Sequence, residues 1–128
     1  MNKHALVIDD NPKNVNILAM LLSEQQVTST LVTQTNQLPK TLDTLGTVDV
    51  VFLDLEMPGM SGFDVLHQLK ADSRFDGVPV VAYTVHVSEM NVANQQGFDG
   101  FLGKPLDSEK FPDQLARILN GEPVWDRG

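Results

Sequence analysis

Short, unbroken apolar runs recur along this chain and limit its fold more than any other feature. Four are plain: "ALVI" (5–8), "VVFL" (50–53), "VPVVAY" (78–83) and "GFL" (100–102). A fifth, "VTSTLV" (27–32), is weaker but rich in β-branched residues. A strand with one wet face alternates apolar and polar side chains, whereas a strand covered on both faces does not. Continuous runs of this length therefore read as strands of a parallel sheet flanked by helices. The segments between them have helical spacing: Val15, Leu18, Leu21 and Leu22; then Leu38, Leu42 and Leu45; then Val65, Leu66 and Leu69; and finally Phe111, Leu115, Ile118 and Leu119. Ser61 with Asp64 three residues on resembles a capping box ahead of the third helix. Pro112 sits in the first turn of the last helix and delays its start, and Asn120-Gly121 closes it. The segment 88–96, short and polar, is the weakest helix and ends at Gly97. Five strand–helix alternations predict a doubly wound, flavodoxin-like α/β sandwich of three layers, with five parallel strands in the order 2-1-3-4-5. Residues 1–121 form one domain. Residues 122–128, "EPVWDRG", are a tail without pattern, in which Trp125 either packs back on the domain or marks a docking surface.

In a sheet of this order ligands bind beyond the carboxyl ends of the strands, where the order reverses. The residues that close the apolar runs are therefore informative. Asp9 and Asp10 follow "ALVI", Asp54 follows "VVFL", Thr84 ends the run at 78–83, and "GFLG" leads to Lys104 and Pro105. Strands 1 and 3 are neighbours in this order, so the three acids converge, with Thr84 and Lys104 flanking them. Three carboxylates about 4 Å apart repel by roughly 4 kcal/mol per pair at an effective dielectric near 20, about 12 kcal/mol in all before relaxation. A solvent-facing loop would reduce this and protonation of one acid could relieve much of the rest, but a divalent cation is the more direct remedy. All-oxygen ligation suits Mg²⁺, and Mn²⁺ can substitute. His4, His67 and His86 are too dispersed for zinc, and there is no cysteine. A carboxylate beside Mg²⁺ is equipped to attack phosphorus and carry the phosphoryl group as an acyl phosphate. Mg²⁺ and Lys104 would then stabilise the equatorial oxygens, and the Thr84 hydroxyl would donate to them.

Composition narrows the partners. The formal charge of −8, with only nine scattered basic residues, argues against a nucleic-acid surface. No stretch approaches the roughly 20 apolar residues of a membrane span, and the N-terminus is no signal peptide. Together with the lack of cysteine this leads to an expectation of a cytoplasmic protein.

The ordered set "VIDDNPKNVNIL" (7–18), "VVFLDLEMPGMSGFDVL" (50–66), "VPVVAYT" (78–84) and "GFDGFLGKPL" (97–106) resembles the receiver domain of two-component response regulators over about residues 3–120. The resemblance implies that Asp54 is the phosphoacceptor, and that Asp10 binds Mg²⁺ directly while Asp9 binds it directly or through water. It implies the Glu56 backbone carbonyl as a further ligand. Thr84 and Phe101 would be the switch pair, the ring turning inward behind the hydroxyl. Lys104 would pair with the phosphate, and the Lys104–Pro105 bond is expected to be cis. The chain stops after the last helix, which resembles single-domain receivers of chemotaxis and cell-polarity type. Their phosphate comes from a sensor histidine kinase or a histidine phosphotransfer protein, and their downstream target docks on the face of helix 4, strand 5 and helix 5. Three residues near the site are expected to tune phosphoryl lifetime: Val85, where the family favours a small residue, and Glu56 and His86, two positions after Asp54 and Thr84. Thr84 and Lys104 are also about two positions closer than is common, the deficit falling in the weak helix.

Other readings stay open at this point. Asp9 and Asp10 could cap the helix entered through Pro12, with Asn11 a good cap either way. "LDLE" (53–56) superficially fits a small phosphatase with an aspartate nucleophile, and Val85 keeps alive a pseudo-receiver that is never phosphorylated. No P-loop occurs, so ATP is not expected as the direct donor.

Overall fold

The structure, a computed structural model, describes residues 2–128. Six strands form its sheet: β1 (Lys3–Ile8), β2 (Val27–Val32), β3 (Val50–Leu53), β4 (Val80–Thr84), β5 (Gly100–Gly103) and β6 (Trp125–Asp126). The helices are α1 (Pro12–Glu24), α2 (Leu38–Thr44), α3 (Gly62–Lys70), α4 (Met90–Gln96) and α5 (Phe111–Leu119). All neighbouring strands pair in parallel, in the order β2-β1-β3-β4-β5-β6. The order expected for five strands is present, but the count is corrected to six. The patternless tail adds β6 to the free edge of β5, where unpaired backbone groups are available to satisfy it.

The continuous apolar runs supply two cores, one on each face of the sheet. Leu6 and Ile8 of β1, Val51 and Leu53 of β3, Val80 and Ala82 of β4, and Phe101 of β5 face α2, α3 and α4. The residues between them, such as Ala5, Val7, Val50, Phe52, Val81, Tyr83 and Leu102, face α1 and α5. Ala5–Ile8 and Val50–Leu53 are fully buried, as strands covered on both faces must be.

The helix ends follow local chemistry. Asn11 Oδ1 accepts from the backbone N–H of Lys13 and Asn14 at 2.9 and 3.2 Å, with Pro12 opening α1. Ser61 Oγ accepts from Phe63 N–H at 3.1 Å, one residue short of the Asp64 amide that a full capping box would use. The weak helix is α4, which a short 3₁₀ turn at Val87–Glu89 introduces and Gly97 closes at φ 110°. Among the described residues no helix is long and apolar enough to cross a membrane.

Candidate functional site

Register brings the site together. Ile8 pairs with Leu53, and Leu53 with Ala82, so Asp9 and Asp54 leave their strands at the same height. The Asp54 backbone N–H donates to the Ile8 carbonyl at 2.9 Å, which pins the two strand ends side by side. Thr84 pairs with Gly103, and the Lys104 N–H donates to the Thr84 carbonyl at 2.8 Å. Asp9, Asp54, Thr84 and Lys104 thus share one end of the sheet. The sheet order reverses across β1 and β3, where a doubly wound fold leaves its crevice.

Carboxylate oxygens of Asp9, Asp10 and Asp54 all lie within 4.8 Å of one another. Asp9 and Asp54 are buried and Asp10 is exposed. Asp9 has two partners: its Oδ1 accepts from the Asn11 N–H at 3.0 Å, and its Oδ2 accepts from Lys104 Nζ at 2.6 Å. Helix capping falls to Asn11, which leaves Asp10 free to face the site.

The Lys104 ammonium lies 3.6 Å from Asp54 Oδ2 as well, so one buried cation serves two buried carboxylates. It also sits over the Tyr83 ring, 4.4 Å from the centroid. A desolvated cation on an aromatic face gains up to about 2 kcal/mol. Burial, with Asp9 and Asp54 nearby, raises the Tyr83 hydroxyl from its ordinary value, so it stays a neutral phenol. Sequence reasoning missed Tyr83. The alternation of β4 was the available signal, since it turns residue 83 to the same face of the sheet as Val81.

Burial raises the Asp54 carboxyl above its usual value. Lys104 opposes that rise, the Asp9 charge adds to it, and hydrogen bonding from Thr84 and the Leu55 backbone opposes it. Asp54 is therefore a carboxylate short of positive charge, in an all-oxygen cluster that suits a hard divalent cation.

The turn after Asp54 is a tight hairpin, Glu56–Met57 against Met60–Ser61, with Gly59 at φ 75° following Pro58. It carries the Glu56 side chain out over the mouth of the site, where Glu56 Oε2 lies 3.2 Å from His86 Nε2. Val85, 62% exposed, stands on the same rim. The Lys104–Pro105 peptide is cis. Phe101 is fully buried, with its ring in the core on the α4 face.

Gly62 has a steric duty. A Cβ there would lie 2.7 Å from Leu55 Cα and 3.0 Å from the Asp54 carbonyl carbon. Gly62→Ala should therefore cost roughly 2 kcal/mol by overpacking, seen as a lower urea midpoint with an unchanged slope. Stability equal to the parent chain would show that the loop yields freely.

The response regulator receiver domain family matches residues 5–116, and the chain belongs to that family. Sensory transduction protein RegX3 of Mycobacterium tuberculosis is 34% identical over 116 residues, which is 89% of this chain and 49% of RegX3. Hybrid signal transduction histidine kinase D of Dictyostelium discoideum is 32% identical over 90% of this chain and 7% of its own length. The chain thus spans half or less of these relatives. Chemotaxis protein CheY of Pseudomonas aeruginosa is 27% identical over 89% of this chain and 94% of its own. Among solved structures, chemotaxis response regulator CheY4 of Vibrio cholerae superposes with a TM-score of 0.81 at 20% identity, covering 92% of this chain and 99% of its own. The receiver domain of sensor histidine kinase PA1611 from Pseudomonas aeruginosa, solved with a magnesium ion coordinated in its active site cleft, gives 0.80 at 21% identity, covering 94% and 99%.

Proposed function

We propose that the chain accepts a phosphoryl group on Asp54 from a phosphohistidine donor and signals through a protein contact that depends on it. The observation that carries this reading is the pairing of one lysine with two buried acids, at the mouth of a three-carboxylate cluster. Asp9, Asp10, Asp54 and the Glu56 carbonyl would hold Mg²⁺, with Mn²⁺ as a substitute. Bound there, the ion would neutralise the carboxylates and the charge on the transferred group.

In the reaction an Asp54 oxygen bonds to phosphorus as the P–N bond to the donor imidazole breaks, the nitrogen keeping the electron pair. Lys104 already stands 3.6 Å from Asp54 and meets the incoming charge without a large excursion. Thr84, buried beside Asp54, donates to a phosphoryl oxygen, and its displacement is passed to Phe101 on the adjacent strand. The donor would be a sensor histidine kinase or a histidine phosphotransfer protein, as in other cytoplasmic signalling pathways of this family. The downstream target would dock on the face of α4, β5 and α5.

Incubation with acetyl phosphate and Mg²⁺ tests the reading by intact mass and peptide mapping. One stable adduct on Asp54 supports it. Steady hydrolysis without an adduct would favour a phosphatase, and no reaction would favour a pseudo-receiver.

We take the Glu56–His86 contact, with Val85 nearby, to narrow the path by which water would reach Asp54. Removing it in the double variant Glu56→Asn/His86→Ala should speed loss of the phosphoryl group roughly fivefold, equivalent to about 1 kcal/mol at the barrier. An unchanged decay of the adduct would remove both residues from any tuning role.

A further inference from the structure

The outer edge of β5 is already taken. Residues 122–128 run along it as a strap: Phe101 pairs with Trp125 and Leu102 with Asp126, and the Phe101 N–H donates to the Val124 carbonyl at 2.7 Å. The edge strand is shaped to receive this backbone. At Gly100 a Cβ would lie 2.9 Å from the Val124 carbonyl oxygen, and at Gly103 it would collide with the Arg127 carbonyl. Two glycines in a four-residue strand are otherwise a poor choice, and close approach of the strap backbone is the physical reason to keep them.

Val124 is the one buried residue of the strap, and Trp125, half-buried, packs on the core from its edge. An open cleft of about 480 Å³ is lined by Pro123 and Trp125 of the strap and by Asn94 and Phe98 opposite them. The remaining ties are polar: Gln114 Nε2 donates to Asp126 Oδ2 at 2.8 Å, and Lys110 Nζ lies 3.9 Å from the same oxygen. Its footing is also next to the site, because Gly103, which admits the Arg127 carbonyl, directly precedes Lys104.

We propose that segment 122–128 is a releasable cover on the outer edge of β5, displaced when Asp54 is phosphorylated. The trigger rests on the function proposed above. A phosphoryl group draws Lys104 away from Asp9, the end of β5 moves with it, and the backbone pairs between β5 and the strap break.

Hydrogen exchange of the full chain, followed by NMR with and without Mg²⁺ and beryllofluoride, tests this, and Trp125, the single tryptophan, reports in parallel by fluorescence. In the free chain the Phe101 amide should exchange on the order of 100-fold faster than the Val51 amide, which is bonded to the Pro79 carbonyl inside the sheet. Beryllofluoride should speed Phe101 about tenfold further and shift Trp125 emission to the red. Equal exchange at Phe101 and Val51 in both states overturns the proposal. So does a mimic that moves the Thr84 and Lys104 signals but leaves Phe101 and Trp125 unchanged. A mimic that moves neither Thr84 nor Lys104 overturns Asp54 as acceptor and the trigger with it, while exchange in the free chain still decides whether the strap opens alone.

Discussion

Lys104→Met should destabilise the fold by about 3 kcal/mol at neutral pH in the absence of divalent cations, the cost of leaving buried carboxylates without their cation. For a domain of this size that lowers the thermal midpoint by about 10 °C. The cause is local. Asp9 Oδ2 loses a partner at 2.6 Å and Asp54 Oδ2 one at 3.6 Å, and water reaches Asp9 poorly. The loss should be pH-dependent. Lys104 lowers the Asp54 pKa against the rise caused by burial, so removing it lets that pKa climb further. A carboxyl with a raised folded-state pKa contributes stability at low pH and loses it as pH rises through that value. The variant should therefore recover toward the parent chain as pH falls, and thermal unfolding across the acid range measures it. A deficit independent of pH would mean that the aliphatic stem of Lys104, not its charge, holds the site.

Asp54→Asn should abolish the phosphoryl adduct and, without divalent cations, raise stability at neutral pH by about 1 kcal/mol. Both effects have one source. Burial and the Asp9 charge make ionised Asp54 unfavourable in the folded chain, outweighing the help from Lys104 and Thr84. A neutral amide of the same shape removes that strain, and Lys104 keeps its short bond to Asp9. The advantage should fade as pH falls through the raised Asp54 value, because the parent chain then neutralises the same group by protonation. Mg²⁺ should narrow the gap from the other side, since an ion that binds only the folded parent stabilises it by mass action. An Asp54→Asn chain that still gained a phosphoryl group would place the acceptor elsewhere.

Much of the fold is legible in the sequence. Runs without polar interruptions report burial on both faces and mark β1, β3 and β4, while the strand–helix alternation with right-handed crossovers gives their order. The acids then became readable, because Asp9 and Asp54 follow runs that must end at one height. Three things were not legible. The strap has no apolar run of its own; Trp125 left packing on the domain or docking open, and the pair of glycines in "GFLG" makes sense only once another backbone is known to approach. Tyr83 read as core because its ring is core; what it adds is a face for the Lys104 ammonium, set by a side chain arriving from another strand. The ring of Phe101 is buried with Trp125 paired beside it, a neighbour that cannot be read from residues 97–106 alone.

The proposed mechanism requires the acids at the ends of β1 and β3, Asp9, Asp10 and Asp54, to hold one divalent cation together. A Mg²⁺ titration followed at the side-chain carboxyl carbons of Asp9, Asp10 and Asp54 tests it most directly. The account predicts that signals of all three move together and saturate with one ion per chain. Movement at Asp10 alone, or none while the chain stays folded, would contradict it.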